Sequence, residues 1–257
     1  EVLMDKIIYY EDEQKDDFSG VRRKTIRVDK NYKYQKSLIW KMGSFILYRC
    51  IMTPIAYFYM KLKFNFKIIN KSVLKKHRKS CYFLYANHTQ IPGDGYMPSV
   101  LCFPKKVKVL VHADNVSLKG TKNFMEMIGA VPIPNHFSGM PAFKNIIHQY
   151  VEQKNVIMIY PEAHIWPYYT KIRPFGSVSF TYPYLENKPV YCFTVTYQKG
   201  FIRTNIKAYV DGPFYPNLSL PKKEAIEELR NIVYETMHKR SKYSSYEKIK
   251  YIKKESV

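Results

Sequence analysis

Acidic residues are scarce in this chain: 21 Asp and Glu stand against 42 Lys and Arg in 257 residues, a formal charge of +21. Such an excess favours an anionic partner, with nucleic acid and an anionic membrane surface both open, although a total says nothing of clustering. Cysteine is equally sparing. Cys50, Cys81, Cys102 and Cys192 are widely spread, lack any CxxC spacing and sit mostly inside apolar runs, so they read as reduced core residues of an intracellular protein. The chain opens Glu1-Val-Leu-Met-Asp-Lys-Ile-Ile-Tyr-Tyr-Glu-Asp-Glu without the basic start and unbroken apolar stretch of a secretory signal, and no export is expected. A run of roughly 20 uncharged apolar residues is missing too. The most apolar stretch, 38–62, is interrupted by Lys41, Arg49 and Lys61 and divided by Pro54, which argues against a simple bilayer span. There is no internal repeat.

Four stretches of different composition remain. Residues 1–36 are charged and aromatic without sustained periodicity and read as an N-terminal arm. Residues 37–70 carry the apolar stretch, expected as an amphipathic helical segment. It lies either at a membrane interface, with Trp40, Phe45 and Ile46 in the acyl boundary and its basic residues on lipid phosphates, or packed on the domain. Residues 71–238 alternate between strand and helix patterns. Strands are expected at Cys81–Ala86, Val107–His112, Val131–Ile133, Val156–Tyr160, Val190–Tyr197 and Asn205–Val210, and helices over Pro141–Lys154 and from Ser219 or Pro221 onward. The alternation predicts an α/β fold with a mixed, mostly parallel sheet flanked by helices. Residues 239–257, rich in Lys and Tyr, read as a basic tail.

Two apolar strands end in polar clusters: Cys81–Ala86 in Asn87-His88-Thr89-Gln90-Ile91-Pro92-Gly93-Asp94, and Val156–Tyr160 in Pro161-Glu162-Ala163-His164-Ile165. Open α/β sheets bind ligands beyond the carboxyl ends of their strands, so the two clusters are expected to share a pocket. A histidine just past a buried strand, with a carboxylate across a Pro-Gly bend, is how a chain presents an oriented general base.

These residues resemble the glycerolipid acyltransferases, the family that includes lysophosphatidic acid acyltransferases. The family's Asn-His, spacer and Asp are matched by Asn87, His88 and Asp94. Its Gly before a short strand is matched by Gly129-Ala-Val-Pro-Ile133, its Phe-Pro-Glu-Gly-Thr-Arg block by Tyr160–Ile165, and its later Pro-containing strand by Lys188-Pro189-Val190-Tyr191. The landmarks fall in order over about residues 80 to 200. The resemblance implies acyl transfer from acyl-CoA or acyl carrier protein to the hydroxyl of a lysophospholipid-type acceptor, with no cofactor and no metal. His88 is then the general base, and Asp94 holds its tautomer and stabilises its charged form. Asn87, Gly129, Glu162 and His164 fall on the substrate side. It also implies work at the cytoplasmic face of a membrane, as a peripheral or monotopic protein.

This chain departs from the family in three places. Five residues separate His88 from Asp94, one more than in the family, and on a continuous helix each residue turns the side chain by about 100°, so the pairing requires a loop here. Ile165 replaces the block's arginine and Ala163 its glycine, leaving Lys171 and Arg173 to hold an acceptor phosphate. Pro134-Asn135 stands where another arginine usually follows the Gly block.

Other chemistries use the same residues. His88, Asp94, His112, Asp114, Glu162 and His164 all fall near expected strand ends and suit a metal-dependent hydrolase, though in no compact spacing such as His-Glu-x-x-His. A non-enzymatic basic module for nucleic acid or membrane is the other alternative. With no helix-turn-helix or RNA-binding sheet signature, nucleic acid is not the expected partner.

Overall fold

A computed structural model describes residues 6–20, 26–116 and 122–254. At its centre is a seven-stranded sheet of order β2-β8-β7-β3-β6-β4-β5. The strands are β2 (Lys67–Ile69), β3 (Tyr82–Ala86), β4 (Val107–Val111), β5 (Ala130–Pro132), β6 (Val156–Ile159), β7 (Val190–Gln198) and β8 (Asn205–Phe214). Every neighbouring pair is parallel except β7 with β8. This is the mixed, mostly parallel sheet expected. β3 and β6 are buried along their whole length, which is why Tyr82-Phe-Leu-Tyr-Ala86 and Val156-Ile-Met-Ile159 read as unbroken apolar runs.

Helices cover both faces. One apolar layer joins Leu84, Met158 and Tyr197 to Met60 of α2 (Thr53–Phe64) and Met97 of α3 (Gly93–Leu101). The other joins Phe83, Ile157 and Cys192 to Phe143 and Ile147 of α5 (Met140–Glu152) and to Leu229 and Val233 of α7 (Lys222–Ser241). α1 (Leu38–Phe45), α4 (Lys122–Met127) and α6 (Thr181–Leu185) complete the set of described α-helices.

α1 and α2 form one helical rod joined by a π-helical stretch, Ile46–Met52. Pro54 lies in the first turn of α2, where a missing N–H is harmless, and the Thr53 N–H reaches back to the Tyr48 carbonyl, as does its hydroxyl (2.7 Å). The widened turn lets the helix continue past the proline. Among the described residues no helix is long and apolar enough to cross a membrane. The rod nonetheless exposes Leu38, Ile39, Met42, Phe45, Ile46, Ile55, Phe58 and Leu62, with Cys50 also on the surface.

Described parts of the expected arm and tail pair with each other. β1 (Lys6–Tyr10) and β9 (Ile249–Lys253) pair in parallel as a separate two-stranded sheet, and α7 runs on to Ser241. The ribbon is held by its aromatic face: Tyr251 stacks on Trp166 at 4.9 Å, and Tyr10 and Phe18 pack on the same indole. Farther along, the arm covers the sheet edge at β5. Asn135 there accepts the Val28 N–H (2.9 Å) and donates to the Ile26 carbonyl (2.6 Å), while the Tyr34 hydroxyl donates to Pro132.

Candidate active site

β3 and β6 lie side by side and parallel, so the residues that follow Ala86 and Ile159 emerge together at the carboxyl edge of the sheet. Asn87 keeps its segment in line: its side-chain amide donates to the Val195 carbonyl (3.1 Å) and accepts the Val195 N–H (2.8 Å). It thereby extends the pairing of β3 with β7 one residue past the strand. It is buried, and it holds the backbone that leads into His88.

Residues 87–90 are irregular, 91–92 form a turn, and α3 begins at Gly93, so the loop required by the spacing is present. Gly93 is needed for closeness: a Cβ there would come within 2.5 Å of the buried Gln90 side chain. The turn brings Asp94 back to His88. Nδ1 of His88 lies 2.7 Å from Oδ2 of Asp94, which also accepts the Gln90 N–H at 2.9 Å. Burial pushes the Asp94 carboxyl above its ordinary value, opposed by its bonds to His88 and the backbone. With an ionised Asp94, Nδ1 carries the proton and Nε2 holds a lone pair. No described group bonds to Nε2, and the side chain is 20 % exposed.

Three further contacts fix His88, one on its ring and two on its backbone. Tyr160 stacks on it at 4.4 Å and anchors itself by a hydroxyl bond to the Asp94 carbonyl (2.6 Å). The His88 N–H donates to Oε2 of Glu162 (3.1 Å), and its carbonyl accepts the Trp166 N–H (3.0 Å). Behind the loop, the Tyr197 hydroxyl meets Thr89 and Gln90. Tyr160, Thr89, Gln90 and Tyr197 were not singled out in the sequence as site residues. Tyr160 had a signal, since it ends an apolar strand with a polar tip.

Glu162 is fully buried and faces Arg173. The guanidinium donates to Oε2 (3.2 Å), to the His164 carbonyl and, at 3.1 Å, to the Glu13 carbonyl, and the Arg173 N–H donates to Oε1 (3.0 Å). Its planar face also covers the Trp166 ring at 4.9 Å. Burial raises the Glu162 carboxyl, and the Arg173 charge opposes that rise. Arg173 has no exposed side-chain surface, so its guanidinium is not presented to a ligand as the sequence reading supposed; it holds Glu162, and through it His88.

The remaining expected site residues are dispersed. His164 follows Ala163, which holds a left-handed φ of 63°, and its Nδ1 lies 4.0 Å from Asp17. Lys171 is exposed. Gly129 enters β5 at the opposite, amino end of the sheet. There its φ of 109° and the 2.5 Å approach of a Cβ to the Val107 carbonyl require glycine for backbone reasons. The sequence reading did not name Lys248, which lies 4.4 Å over the ring of Tyr168, whose N–H donates to the Thr89 carbonyl. Among the described residues no three His, Cys, Asp or Glu side chains converge as a metal site would need, and His112 and Asp114 form a separate pair. Cys81 and Cys102 are buried, with thiols pushed up to about 12.

Fold and site together define a class: an α/β protein whose parallel strands present an oriented histidine, backed by one carboxylate and pinned by a second, at their carboxyl edge. No family model matches the chain, and no curated protein matches it. The fold is similar to the crystal structure of the 1-acyl-sn-glycerophosphate (LPA) acyltransferase PlsC from Thermotoga maritima, with a TM-score of 0.55 over 81 % of this chain and 89 % of that one. Identity is 14 %, so the likeness is one of fold.

Proposed function

We propose that the protein is an O-acyltransferase that moves a fatty acyl group from a thioester carrier, acyl-CoA or acyl carrier protein, to the hydroxyl of a lysophospholipid-type acceptor. The observation that carries this reading is the 2.7 Å contact between His88 Nδ1 and a buried Asp94, with Nε2 left open, in a fold similar to that of an LPA acyltransferase. Nε2 takes the acceptor's hydroxyl proton as the oxygen attacks the thioester carbonyl. The tetrahedral intermediate collapses to the ester and expels the carrier's thiolate, which receives the proton from the imidazolium. Asp94 stabilises that imidazolium, and Glu162 and Arg173 are positioning residues that hold the His88 backbone.

The acceptor's phosphate, where it has one, falls to Lys171 and Lys248, because Arg173 is engaged with Glu162. The exposed apolar residues of α1 and α2, with Lys41 and Lys61 exposed on the same helices, suit an anionic membrane surface on the cytoplasmic side. The test is a mass-spectrometric screen of purified protein with acyl-CoA and acyl carrier protein donors against lysophosphatidate, glycerol phosphate and phosphate-free lysolipids. Conversion of a lysolipid to its diacyl product with any donor supports the reading. No acyl transfer across the whole panel contradicts it.

A further inference from the structure

A cavity of about 410 Å³ lies on the face of the sheet covered by α5, between β4, β5 and the chain segment 32–41. It is apart from His88: Lys106 and Lys108 enter it at the amino end of β4, whereas His88 follows the carboxyl end of β3. Its size is that of a small-molecule site, which typically spans about 300–1,000 Å³.

Lys108 is the unusual residue. It is 9 % exposed, and its ammonium makes no ion pair or hydrogen bond with any described residue; its one close partner is the Tyr150 ring at 4.5 Å. An ammonium withdrawn from water without an anion is costly, so such groups normally have a counter-charge. Lys106 lies two residues earlier in the same extended backbone, its carbonyl still bonded to the Val156 N–H, and so projects from the same face, roughly 7 Å away at the backbone. Lys36 and Lys41 close the cavity from the other side.

The single carboxylate among the described lining residues is already engaged. Glu126 lies 2.5 Å from the Lys36 ammonium and accepts the Tyr32 hydroxyl. Its charge is therefore shared before it reaches Lys108. We propose that this cavity is a binding site for a small molecule bearing a diphosphate group, with Lys106 and Lys108 as the cations that hold adjacent phosphoryl oxygens. A diphosphate supplies two anionic phosphoryl groups joined through one bridging oxygen, which a strand's paired lysines meet and a monocarboxylate does not. Trp40 and Tyr150 add aromatic wall at the same cavity, as suits a phosphorylated molecule with a planar ring.

Binding should move a proton. Burial, then the charges of Lys106 and Lys41, press Lys108 down to about 7, and Glu126 alone opposes them. Burial, then the charge of Arg49, lowers Lys106 as well, Lys36 is paired with Glu126, and Tyr32, Tyr34 and Tyr150 are all raised and remain neutral. A bound anion restores the ammonium, so at about pH 8 the protein takes up a proton as the ligand enters.

The experiment is titration calorimetry of the whole chain at about pH 8, with orthophosphate, pyrophosphate and ADP as probes, in two buffers of different ionisation enthalpy. Pyrophosphate is expected to bind at least about tenfold more tightly than orthophosphate with proton uptake, and Lys108→Met to weaken it about tenfold or more and remove the uptake. Lys223→Ala, an exposed lysine on α7, should change neither. ADP tighter than pyrophosphate marks a nucleotide as the source, and equal affinity marks the bare oligophosphate. Lys108→Met loses a buried charge and should melt no lower than the parent; if it does not fold, Lys106→Met reads the same loss of affinity. Absent binding at millimolar pyrophosphate, unaltered binding by Lys108→Met, or binding without proton uptake each overturns the proposal.

Discussion

Replacing Arg173 with Met removes a guanidinium that has no exposed surface and satisfies Glu162 together with the carbonyls of His164 and Glu13. The methionine fills much of the volume but leaves a buried carboxylate without a counter-charge and those carbonyls without their donor. Breaking a buried ion pair from one side costs about 3–5 kcal/mol, a large share of the 5–15 kcal/mol that typically holds a protein folded. Urea unfolding followed by circular dichroism reads this loss. The pH dependence gives a second signature. Burial already raises Glu162, and without Arg173 it rises further, so the folded variant keeps a proton that the unfolded chain releases above about pH 4.3. Above that pH the folded state binds more protons than the unfolded, and the variant's stability falls as pH rises toward neutrality. Glu162→Gln in the same chain removes the stranded charge and should recover at least about 1.5 kcal/mol of the additive loss. A cost below about 1 kcal/mol, or strict additivity of the two substitutions, refutes the buried pair as the brace behind His88.

Other expectations follow from single contacts. Ala163→Gly relieves a left-handed residue and should stabilise the protein by about 1 kcal/mol, seen as a rise of about 2–4 °C in melting temperature. Asp94→Asn should lower kcat by at least about a hundredfold and leave the acceptor KM within about threefold, measured in steady-state acyl transfer, because its charge acts on the developing imidazolium. Ile39→Ser with Phe45→Ser removes two exposed apolar side chains from α1, and co-sedimentation with anionic vesicles should weaken by about thirtyfold, or about 2 kcal/mol, with the fold unchanged.

Six of the seven central strands were legible because they carry their burial in their own sequence: Val156-Ile-Met-Ile159 needs no partner to be read as a buried strand, whereas Lys67-Ile-Ile69 of β2 is too short and lies in the segment expected to be helical. β1 and β9 were not, because Lys6-Ile-Ile-Tyr-Tyr10 and Ile249-Lys-Tyr-Ile-Lys253 are short segments at opposite ends of the chain, made strands by each other and by Trp166. α3 was also hidden. Gly93, Gly95 and Pro98 argue locally against a helix, and packing against α2 overrides them. At the site, the motif spacing pointed to His88, Asp94 and Glu162: two adjacent parallel strands bring Glu162 to His88, and the turn at 91–92 brings Asp94 back. The role of Arg173 was not visible, since a cation two residues past Lys171 reads the same whether it meets a ligand or a buried carboxylate. Lys108 was hidden likewise: within Val107-Lys-Val-Leu-Val111 it looks like the polar position of an alternating strand, yet α5 and the 32–41 segment cover it.

The most direct measurement is the rate of acyl transfer by His88→Ala, with whichever donor and acceptor pair the wild-type protein uses, in a variant whose circular dichroism and melting temperature match the parent. A loss of at least about a thousandfold in kcat is expected, because His88 presents its open nitrogen at the carboxyl edge of β3 with Asp94 behind it. Retention of a tenth or more of the wild-type rate contradicts His88 as the general base.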